Sequence, residues 1–569
     1  MTDSSPQSAP TPRWGMVIDL NRCVGCQTCT IACKHANDTL PGVQWRRVID
    51  VEQGTFPNVQ RQFMVVGCQH CAEPPCVPVC PTGATKQRAD GLVTQDYDIC
   101  IGCAYCAVSC PYQARTIVHD MMGYYGEEPT RQEDAVRHDD RLGVAQKCTF
   151  CKERVDDGLA AGLTPGVDPA ATPACSAACI ASAIKFGDFN NADSEVSQLV
   201  RDNPIFQMHE ELGTDPQIKY LYTTPAVPGR EPDAEDVDDA HLSDPANPLV
   251  GQLQKLWDWR AAMNWIFGGV STGFIFWSWV VYLTGLIAPQ TLAWMHFAGG
   301  AVMAVGLFFV FLKIGRKLRF WRAILRPQTS WMTRELYTVF ILGPAILAGL
   351  IWQHPVAFAV SGVGALVFLG CQAMILWRAR GIPAWRNRLI PWMIVATGLL
   401  EGLGLLMVVN AVYLWALAAA SAADAAALSV SFTVPLWTGL ALVVMALVNA
   451  GLWLAYRKGA KGAGIGPLAR RVLGRASAPL HLVGHLAPIV LVVLGFYLPA
   501  GNAVAFLLGG LAAIAGGAYW KFTVITRAAY QQGFAMPKQP HRGSGSRAAP
   551  PRMEGSAIRP KGMIGAGTA

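Results

Sequence analysis

Cysteine placement constrains this chain of 569 residues more than any other feature. Sixteen of its seventeen cysteines lie between positions 23 and 179, in four groups of four. Three closely spaced thiolates on one loop can bind three corners of an iron–sulfur cube, and the fourth cysteine of such a run typically binds the neighbouring cluster. Four groups therefore predict four [4Fe–4S] clusters, with the ligands Cys23, Cys26, Cys29, Cys33; Cys68, Cys71, Cys76, Cys80; Cys100, Cys103, Cys106, Cys110; and Cys148, Cys151, Cys175, Cys179.

Zinc sites and disulfides fit the spacing less well. A tetrahedral zinc site usually has four protein ligands, so the third cysteine of a C-x2-C-x2-C run would be left over. Disulfide frameworks belong to small secreted domains, which this long chain does not resemble. Cys80-Pro81 and Cys110-Pro111 also have the Cys-Pro ending of bacterial ferredoxin runs, which the first and fourth groups lack.

The first and third groups have the same spacing, which suggests an internal duplication into two modules of two clusters. We expect the first group to share ligands with the fourth, and the second with the third. Short strand and helix segments link the cysteine loops, so we predict an α+β ferredoxin-like domain over residues 14–225. The sequence GLAAGLTPGVDPAATPA inside the fourth group is typical of a surface loop.

The second half of the chain is apolar. The whole sequence is 52% hydrophobic and 15% charged, and most of that apolarity follows residue 260. A membrane-spanning helix needs about 20 apolar residues, and eight segments approach or exceed that length: 262–287, 291–312, 335–353, 355–377, 391–416, 431–455, 478–498 and 503–525. We predict an all-α eight-helix transmembrane bundle over residues 261–527.

Three further segments precede, connect and follow these two halves. Residues 1–13 are predicted to be a disordered lead without an apolar or twin-arginine export signal, and residues 226–260 an acidic linker. Residues 528–569 are rich in Pro, Gly and Arg, so we expect a disordered tail that contacts anionic lipid. No basic groove with interleaved aromatic residues points to nucleic acid.

Loop charge predicts the orientation. The loops after the second, fourth and sixth segments are basic, whereas residues 288–290, 353–355, 417–430 and 499–502 contain no Lys or Arg. The positive-inside rule places the basic side in the cytoplasm, so we expect a multi-pass protein of the bacterial inner membrane whose cysteine half faces the cytoplasm. The alternative is that an exported partner carries this half across the membrane.

The four cysteine groups, in this order and with the long gap in the last, resemble the four-cluster subunit of dimethyl sulfoxide reductase-type molybdopterin oxidoreductases. The resemblance covers residues 14–225 and implies a catalytic partner with a Mo-bis(molybdopterin guanine dinucleotide) cofactor. Some members replace one cysteine of the third group with tryptophan and hold a [3Fe–4S] cluster, but here that group is intact. The apolar half resembles the eight-helix anchor of the same complexes, so the chain resembles a fusion of two subunits.

The anchor resemblance is carried by RPQTSWMTRE, residues 326–335, and implies a quinone site facing the cluster of the third group. Arg326, Arg334 and Glu335 could hydrogen-bond a quinone oxygen or relay its protons. The alternative is that both arginines are interfacial anchors and Trp331 is an aromatic-belt residue. His481 and His485 share one helix face and could line the same pocket, or serve as interfacial histidines. Members of the anchor family often have His where this chain has Lys313.

Three further features complete the candidates. Glu401 lies within an apolar segment, where an ionisable group is costly unless paired, so a proton path or polar pocket is the default hypothesis. Cys371 has no partner cysteine and is expected to pack in the core. A haem with two histidine ligands needs histidines on different helices at matching depth. We expect no haem, because of His296, His354, His481 and His485 one lies in a turn and two share a helix.

These features predict a conduit that passes electrons between a molybdenum subunit and the membrane quinone pool. The topology and motifs most resemble the cytoplasm-facing, membrane-bound sulfite dehydrogenase. The alternatives are a quinol-dependent dimethyl sulfoxide or polysulfide reductase subunit and, from another class, a proton-translocating module coupled to a redox arm. A membrane-tethered redox sensor would need an output domain, which we do not find. The sequence leaves open the substrate, the direction of electron flow, the type of quinone and the cluster potentials.

Overall fold

The computed structural model describes residues 11–55, 58–120, 123–221, 243–419, 435–497 and 502–534. Most of the predicted lead, the acidic linker up to residue 242 and the tail from residue 535 lie outside the described residues. So do the first four residues of the sixth predicted apolar segment. The predicted disorder from residue 528 is wrong for residues 528–534, because Ala528, Ala529 and Phe534 are buried and Tyr530 forms a β-bridge with Leu253 of the predicted linker.

A four-stranded sheet in the order β8-β1-β10-β9 joins the two ends of the cysteine half. Its central strand β1 pairs antiparallel with β8 and parallel with β10, so that Met16 lies between Phe186 and Ile218. All six residues of β1 are buried, as expected for a strand covered on both faces. The strands are β1 Trp14–Asp19, β8 Ile184–Asp188, β9 Ile205–Phe206 and β10 Ile218–Leu221.

Two-stranded antiparallel ladders separate successive cysteine groups. They are β2 Arg46–Thr55 with β3 Asn58–Gly67, β4 Thr85–Gln87 with β5 Val93–Gln95, and β6 Thr116–Ile117 with β7 Ala145–Gln146. Short helices carry several of the cysteines and fill the remaining connections. They are α1 Thr28–Ala36, α2 Tyr105–Val108, α3 Arg131–Ala135, α4 Lys152–Ala160, α5 Ala174–Ala177 and α6 Glu195–Asp202.

The predicted surface loop inside the fourth group is partly wrong. Its first three residues, 158–160, form the end of α4. Val155 and Gly158 are buried there, and a side chain at Gly158 would collide with Ala171. The helix is therefore held by packing against the turns that follow it.

Eight helices of the described chain are long and apolar enough to cross a membrane, which confirms the predicted number. They are α7 Trp259–Leu283, α8 Pro289–Lys313, α9 Trp331–Trp352, α10 Pro355–Arg378, α11 Ile390–Ala419, α12 Leu436–Lys458, α13 Pro467–Tyr497 and α14 Asn502–Arg527.

The predicted start of the seventh helix, at residue 478, is wrong by eleven residues. The segment Pro467–Pro479 is already helical, because its buried residues Ala469, Leu473 and Ala476 recur at helical spacing. Three arginines that the sequence suggested were loop residues, Arg470, Arg471 and Arg475, therefore lie on this amphipathic first part of α13. A π-helical stretch follows at Leu480–Leu486.

The cysteine half packs directly against the basic end of the helix bundle. Arg316 donates to the carbonyl of Leu142 at 2.8 Å, and Arg319 donates to the carbonyl of Tyr97 at 2.7 Å. Close approach also requires glycine at position 315, after α8, where a Cβ would lie 2.1 Å from the Gly143 carbonyl oxygen of the cysteine half. The basic loops and the cysteines thus lie on the same side of the bundle.

Candidate metal centres and an adjoining cavity

The structure regroups the cysteines across the chain. Burial raises the pKa of the Cys33 thiol, and the charges of Cys148, Cys175 and Cys151 raise it further. These four cysteines form what we term set B. Cys33 thus lies with the fourth group and not with the rest of its own run.

The remaining members of the first run lie with the last cysteine of the chain's fourth group. Burial raises the pKa of Cys23, and among the charges that raise it are those of Cys179 and Cys26. Burial also raises the pKa of Cys29, as do the charges of Cys23 and Cys179. We term Cys23, Cys26, Cys29 and Cys179 set A.

The second and third groups exchange members in the same way. Burial, followed by the charges of Cys68, Cys76 and Cys110, raises the pKa of Cys71, and these four form set C. Burial raises the pKa of Cys103, and the charges of Cys106, Cys80 and Cys100 contribute in the same direction. The latter four form set D: Cys80, Cys100, Cys103 and Cys106.

The thiols are not gathered around single ions. Among the described residues, no three His, Cys, Asp or Glu side chains converge closely enough to hold one metal ion. A zinc ion would require sulfurs about 2.3 Å from the metal.

Two buried arginines test whether the sets fit anionic clusters. Arg46 and Arg115 are 0% and 7% exposed, and neither forms an ion pair with a described carboxylate. Arg46 donates to the sulfur of Cys175 at 3.9 Å, and Arg115 donates to the sulfur of Cys76 at 3.2 Å. A buried cation without a counter-charge is costly. Clusters bound through thiolates would supply that charge, so the residues present fit [4Fe–4S] clusters.

Backbone amides and one side chain also point at the thiols. The amides of Phe150 and Ala183 lie 3.5 and 3.3 Å from the sulfurs of Cys148 and Cys179. Asn37 donates to the sulfur of Cys151 at 3.6 Å. Hydrogen bonds to cluster sulfurs are one of the factors that set reduction potentials.

Sets A and D have different surroundings. Cys26 of set A is exposed at the surface, as are the apolar side chains of Val24, Ile31 and Ile180. Cys103 of set D is only half-buried because it lines an internal cavity of about 40 Å³. One end of the cysteine half therefore opens to the surface and the other opens toward the helix bundle.

The cavity lies between the two halves of the chain. Lys313 donates to the carbonyl of Cys103 at 3.3 Å and sits 5.2 Å from the ring centre of Trp257. Glu335 is 7% exposed, and its Oε1 atom has no hydrogen-bond partner among the described residues. The lining is Cys103, Trp257, Ala261, Asn264, Trp265, Val310, Lys313, Ile314, Met332, Glu335 and Ile375.

Of the predicted quinone residues, only Glu335 lines this cavity. Arg334 donates to the carbonyls of Pro327 and Gln328 at 2.8 and 2.7 Å, and its guanidinium lies 4.3 Å from the ring centre of Trp331. Arg326 lies against Gly83, where a Cβ would be 2.7 Å from the arginine Nε. Both arginines thus contact loops outside the cavity.

The two histidines lie elsewhere in the bundle. The Nδ1 atoms of His481 and His485 are 3.2 Å apart within the π-helical stretch of α13. His485 lines a second, smaller cavity of about 10 Å³ together with Thr397, Asn449 and Gly517. The structure does not bring the five predicted residues together.

Lys521 is the functional candidate that the sequence reasoning missed. Its Nζ donates to Glu401 Oε2 at 2.5 Å and to the carbonyl of Trp265 at 2.9 Å. Both ionic side chains are fully buried. Glycines make room for them, because a Cβ on Gly269 would lie 2.0 Å from Lys521 Nζ. The sequence did contain a signal for this candidate, since a lysine inside an apolar membrane-spanning segment is costly unless it is paired.

The other intramembrane candidates have local contacts. Cys371 is buried in α10. His296 lies 2.7 Å from the hydroxyl of Ser361 through Nδ1, and His354 accepts a hydrogen bond from the amide of Val356 at the start of α10.

Comparisons with known proteins cover the cysteine half. A family model described as a 4Fe-4S dicluster domain matches residues 59–122. The chain is 40% identical over 225 residues to a subunit of selenate reductase from Mesobacillus selenatarsenatis, a match of 37% of this chain and 72% of that protein. It is 39% identical over 222 residues to a subunit of sulfite dehydrogenase from Allochromatium vinosum, covering 36% and 81%. It is also 39% identical over 228 residues to the iron–sulfur cluster-binding subunit of menaquinone reductase from Nitratidesulfovibrio vulgaris, covering 37% and 88%.

Proposed function

Because the chain belongs to the family of iron–sulfur electron-transfer subunits of multi-subunit oxidoreductases, we propose that it conducts electrons between a catalytic partner and a membrane quinone. Sets A to D would each hold one [4Fe–4S] cluster, which supplies a one-electron carrier when bound. The observation that carries the proposal is that Cys103 of set D and Glu335 of α9 line one cavity.

Electrostatic interactions between cysteines of different sets support a single order of the four clusters along the electron path. Cys29 of set A is among the charges that act on Cys175 of set B. In turn, Cys68 of set C acts on Cys148 of set B, and Cys76 of set C acts on Cys106 of set D. Each set is therefore close to the next in the order A, B, C, D.

The surface near set A would receive the catalytic partner. Val24, Ile31 and Ile180 are exposed, as is Cys26, and each is within two residues of a set A cysteine in the sequence; exposed apolar side chains that lie together are typical of a protein interface. In this proposal the partner carries the Mo-bis(molybdopterin guanine dinucleotide) cofactor at which substrate reacts.

The residues that line the cavity beside set D would bind the quinone head group, whose ring needs more room than about 40 Å³, so these side chains would move apart to admit it. Trp257 offers an aromatic face, the Asn264 side chain a hydrogen-bonding amide, and Lys313 a cation. Glu335 can hold or release the proton that accompanies quinone reduction, since its Oε1 atom is unpartnered among the described residues. The name of one relative, menaquinone reductase, supports this class of acceptor.

Sulfite is our leading substrate for the partner. One relative is named as part of a sulfite dehydrogenase, and the positive-inside rule supports a cysteine half that faces the cytoplasm of a bacterial inner membrane. The relative named selenate reductase keeps the reverse direction open. A quinol-dependent dimethyl sulfoxide, polysulfide or other oxyanion reductase is therefore the alternative of the same class.

Sealed vesicles that contain this chain and its partner test substrate and orientation together. We expect sulfite-dependent quinone reduction in inside-out vesicles and none in right-side-out vesicles. Activity only in right-side-out vesicles would contradict the orientation. No response to sulfite in either preparation, with cluster signals intact, would contradict sulfite as the substrate and leave the conduit standing.

The buried Glu401–Lys521 pair favours a second candidate function, proton movement through the bundle coupled to the redox arm. Ionisable groups within a membrane domain commonly mark proton paths. The pair lies beside Gly269 and Trp265 of α7, and Trp265 also lines the quinone cavity. In proteoliposomes, quinone turnover should acidify or alkalinise the lumen in the parent protein. A Glu401→Gln variant with unchanged turnover should keep only the proton uptake of quinone reduction itself, whereas a signal equal to that of the parent protein would exclude the second function.

A further inference from the structure

Arg46 and Arg115 occupy equivalent positions in the two halves of the cysteine domain. Arg46 lies at the start of β2 and Arg115 follows the third cysteine group. Both side chains are buried, and each donates to one cysteine sulfur. Arg46 begins β2 and Arg115 directly precedes β6, so each arginine lies where the chain leaves a cysteine group and enters a strand.

Each arginine lies beside two sets at once. The cysteines whose charges act on Arg46 are Cys175, Cys148 and Cys33 of set B, and Cys29 of set A. Those that act on Arg115 are Cys76, Cys68 and Cys110 of set C, and Cys106 of set D. Arg46 thus contacts set B and lies near set A, and Arg115 contacts set C and lies near set D.

Neither guanidinium is neutralised by a described carboxylate. Arg46 Nη2 lies 3.2 Å from the sulfur of Met16, and its Nε and Nη1 have no hydrogen-bond partner among the described residues. Arg115 Nη1 donates to Thr85 Oγ1 at 3.1 Å and to Gln95 Oε1 at 2.9 Å, and both acceptors are neutral. The full positive charge therefore acts on the thiol sets.

We propose that Arg46 and Arg115 each hold one buried positive charge near two consecutive clusters and thereby raise the reduction potentials of that pair. Reduction adds negative charge to a cluster, and a cation close by in a medium of low dielectric constant stabilises the reduced form. One cation shared by two clusters acts on both, so electrons can be exchanged between them without a deep trap on either side. This inference rests on the proposed binding of four clusters and is independent of the quinone.

The test is a redox titration of the whole complex, followed by electron paramagnetic resonance of the individual clusters. Arg115→Gln should move the two signals of sets C and D to more negative potentials and leave those of sets A and B unchanged. Arg46→Gln should do the reverse, so each variant is the control for the other. Arg46→Lys and Arg115→Lys retain the charge and should shift the signals less than the Gln variants.

The variant Gln95→Glu tests the same inference if the variant Arg115→Gln fails to retain a cluster. The substitution preserves the shape of the side chain and places a carboxylate 2.9 Å from Arg115 Nη1. It should shift sets C and D to more negative potentials while Arg115 stays in place. Unshifted signals in Gln95→Glu, or equal shifts of all four clusters in the arginine variants, would overturn the inference. Iron contents far below four clusters in the parent protein would instead contradict the proposed cluster binding.

Discussion

Cys103 and Glu335 line one cavity, although the first belongs to a cysteine loop and the second to a helix of the membrane bundle. Lys313, at the end of α8, lines the same cavity and donates to the carbonyl of Cys103. The cavity thus combines a thiol of set D with a buried carboxylate. In the proposed function, this relationship puts an electron carrier and a proton-binding group at the same internal surface.

Replacing Glu335 with glutamine should slow quinone reduction about 100-fold, because loss of a proton-transferring group typically costs that much or more. The clusters should keep their spectra and iron content. Arg334→Gln is the control, since Arg334 does not line the cavity and its side chain donates to the carbonyls of Pro327 and Gln328 and lies over Trp331. Steady-state rates with a soluble quinone analogue measure both variants. Equal losses in the two variants would point to a general effect on α9.

Single cysteine substitutions should remove clusters selectively. Four clusters amount to about 16 iron atoms per chain, and Cys26→Ser and Cys103→Ser should each alter one cluster signal, at opposite ends of the order A to D. Cys371→Ser should leave the iron content unchanged, because this cysteine is buried in α10 away from the four sets. Iron analysis with electron paramagnetic resonance measures all three. Loss of iron in Cys371→Ser would contradict the ligand assignment.

Lys521→Met should destabilise the bundle by about 3–5 kcal/mol, because it leaves the charge of Glu401 buried without a partner. The double variant Glu401→Leu with Lys521→Met should recover most of that loss. Lys461→Met is the control, since Lys461 is exposed in the loop after α12. Thermal and denaturant unfolding in detergent compare the four proteins. A double variant no more stable than Lys521→Met would show that the pair contributes through something other than charge compensation.

Labelling should locate the two ends of the bundle. Leu318, in the basic loop after α8, is 91% exposed, and Trp352, at the far end of α9, is 71% exposed. In intact spheroplasts, a membrane-impermeant maleimide should label Trp352→Cys, whereas Leu318→Cys should react only after permeabilisation. The reverse pattern would place the cysteine half outside the cytoplasm.

Local patterns in the sequence predicted the cysteine groups and the number of membrane-capable helices. Runs such as Cys23 to Cys33 are defined by short spacing, and an apolar stretch of about 20 residues is visible without knowledge of its neighbours. The start of α13 was missed because an amphipathic helical segment with three arginines resembles a loop in a hydropathy profile.

Contacts between distant residues could not be predicted in this way. Glu401 and Lys521 lie on different helices and 120 residues apart, and nothing local pairs them. The same holds for Cys103 with Lys313, and for the placement of Arg46 and Arg115 near the thiol sets.

The segment RPQTSWMTRE, on which the predicted quinone site was based, shows that even neighbouring residues of one helix can have different surroundings. Arg334 and Glu335 are adjacent in sequence, but successive residues of an α-helix point about 100° apart. Both side chains therefore cannot face one cavity. Glu335 turns inward, and Arg334 reaches back to the loop before α9.

Electron exchange between quinol and the clusters tests the central claim most directly, and it does not depend on the catalytic substrate. The complex in liposomes with a reduced quinol pool would be frozen and examined by electron paramagnetic resonance for reduced clusters. We predict that quinol reduces the cluster at set D about 100-fold faster in the parent protein than in Glu335→Gln, as samples frozen at successive times would show, while dithionite reduces it equally in both. The account would be contradicted if, in the parent protein, dithionite reduced the cluster at set D and quinol did not, although the reduction potential of that cluster was high enough for quinol to reduce it.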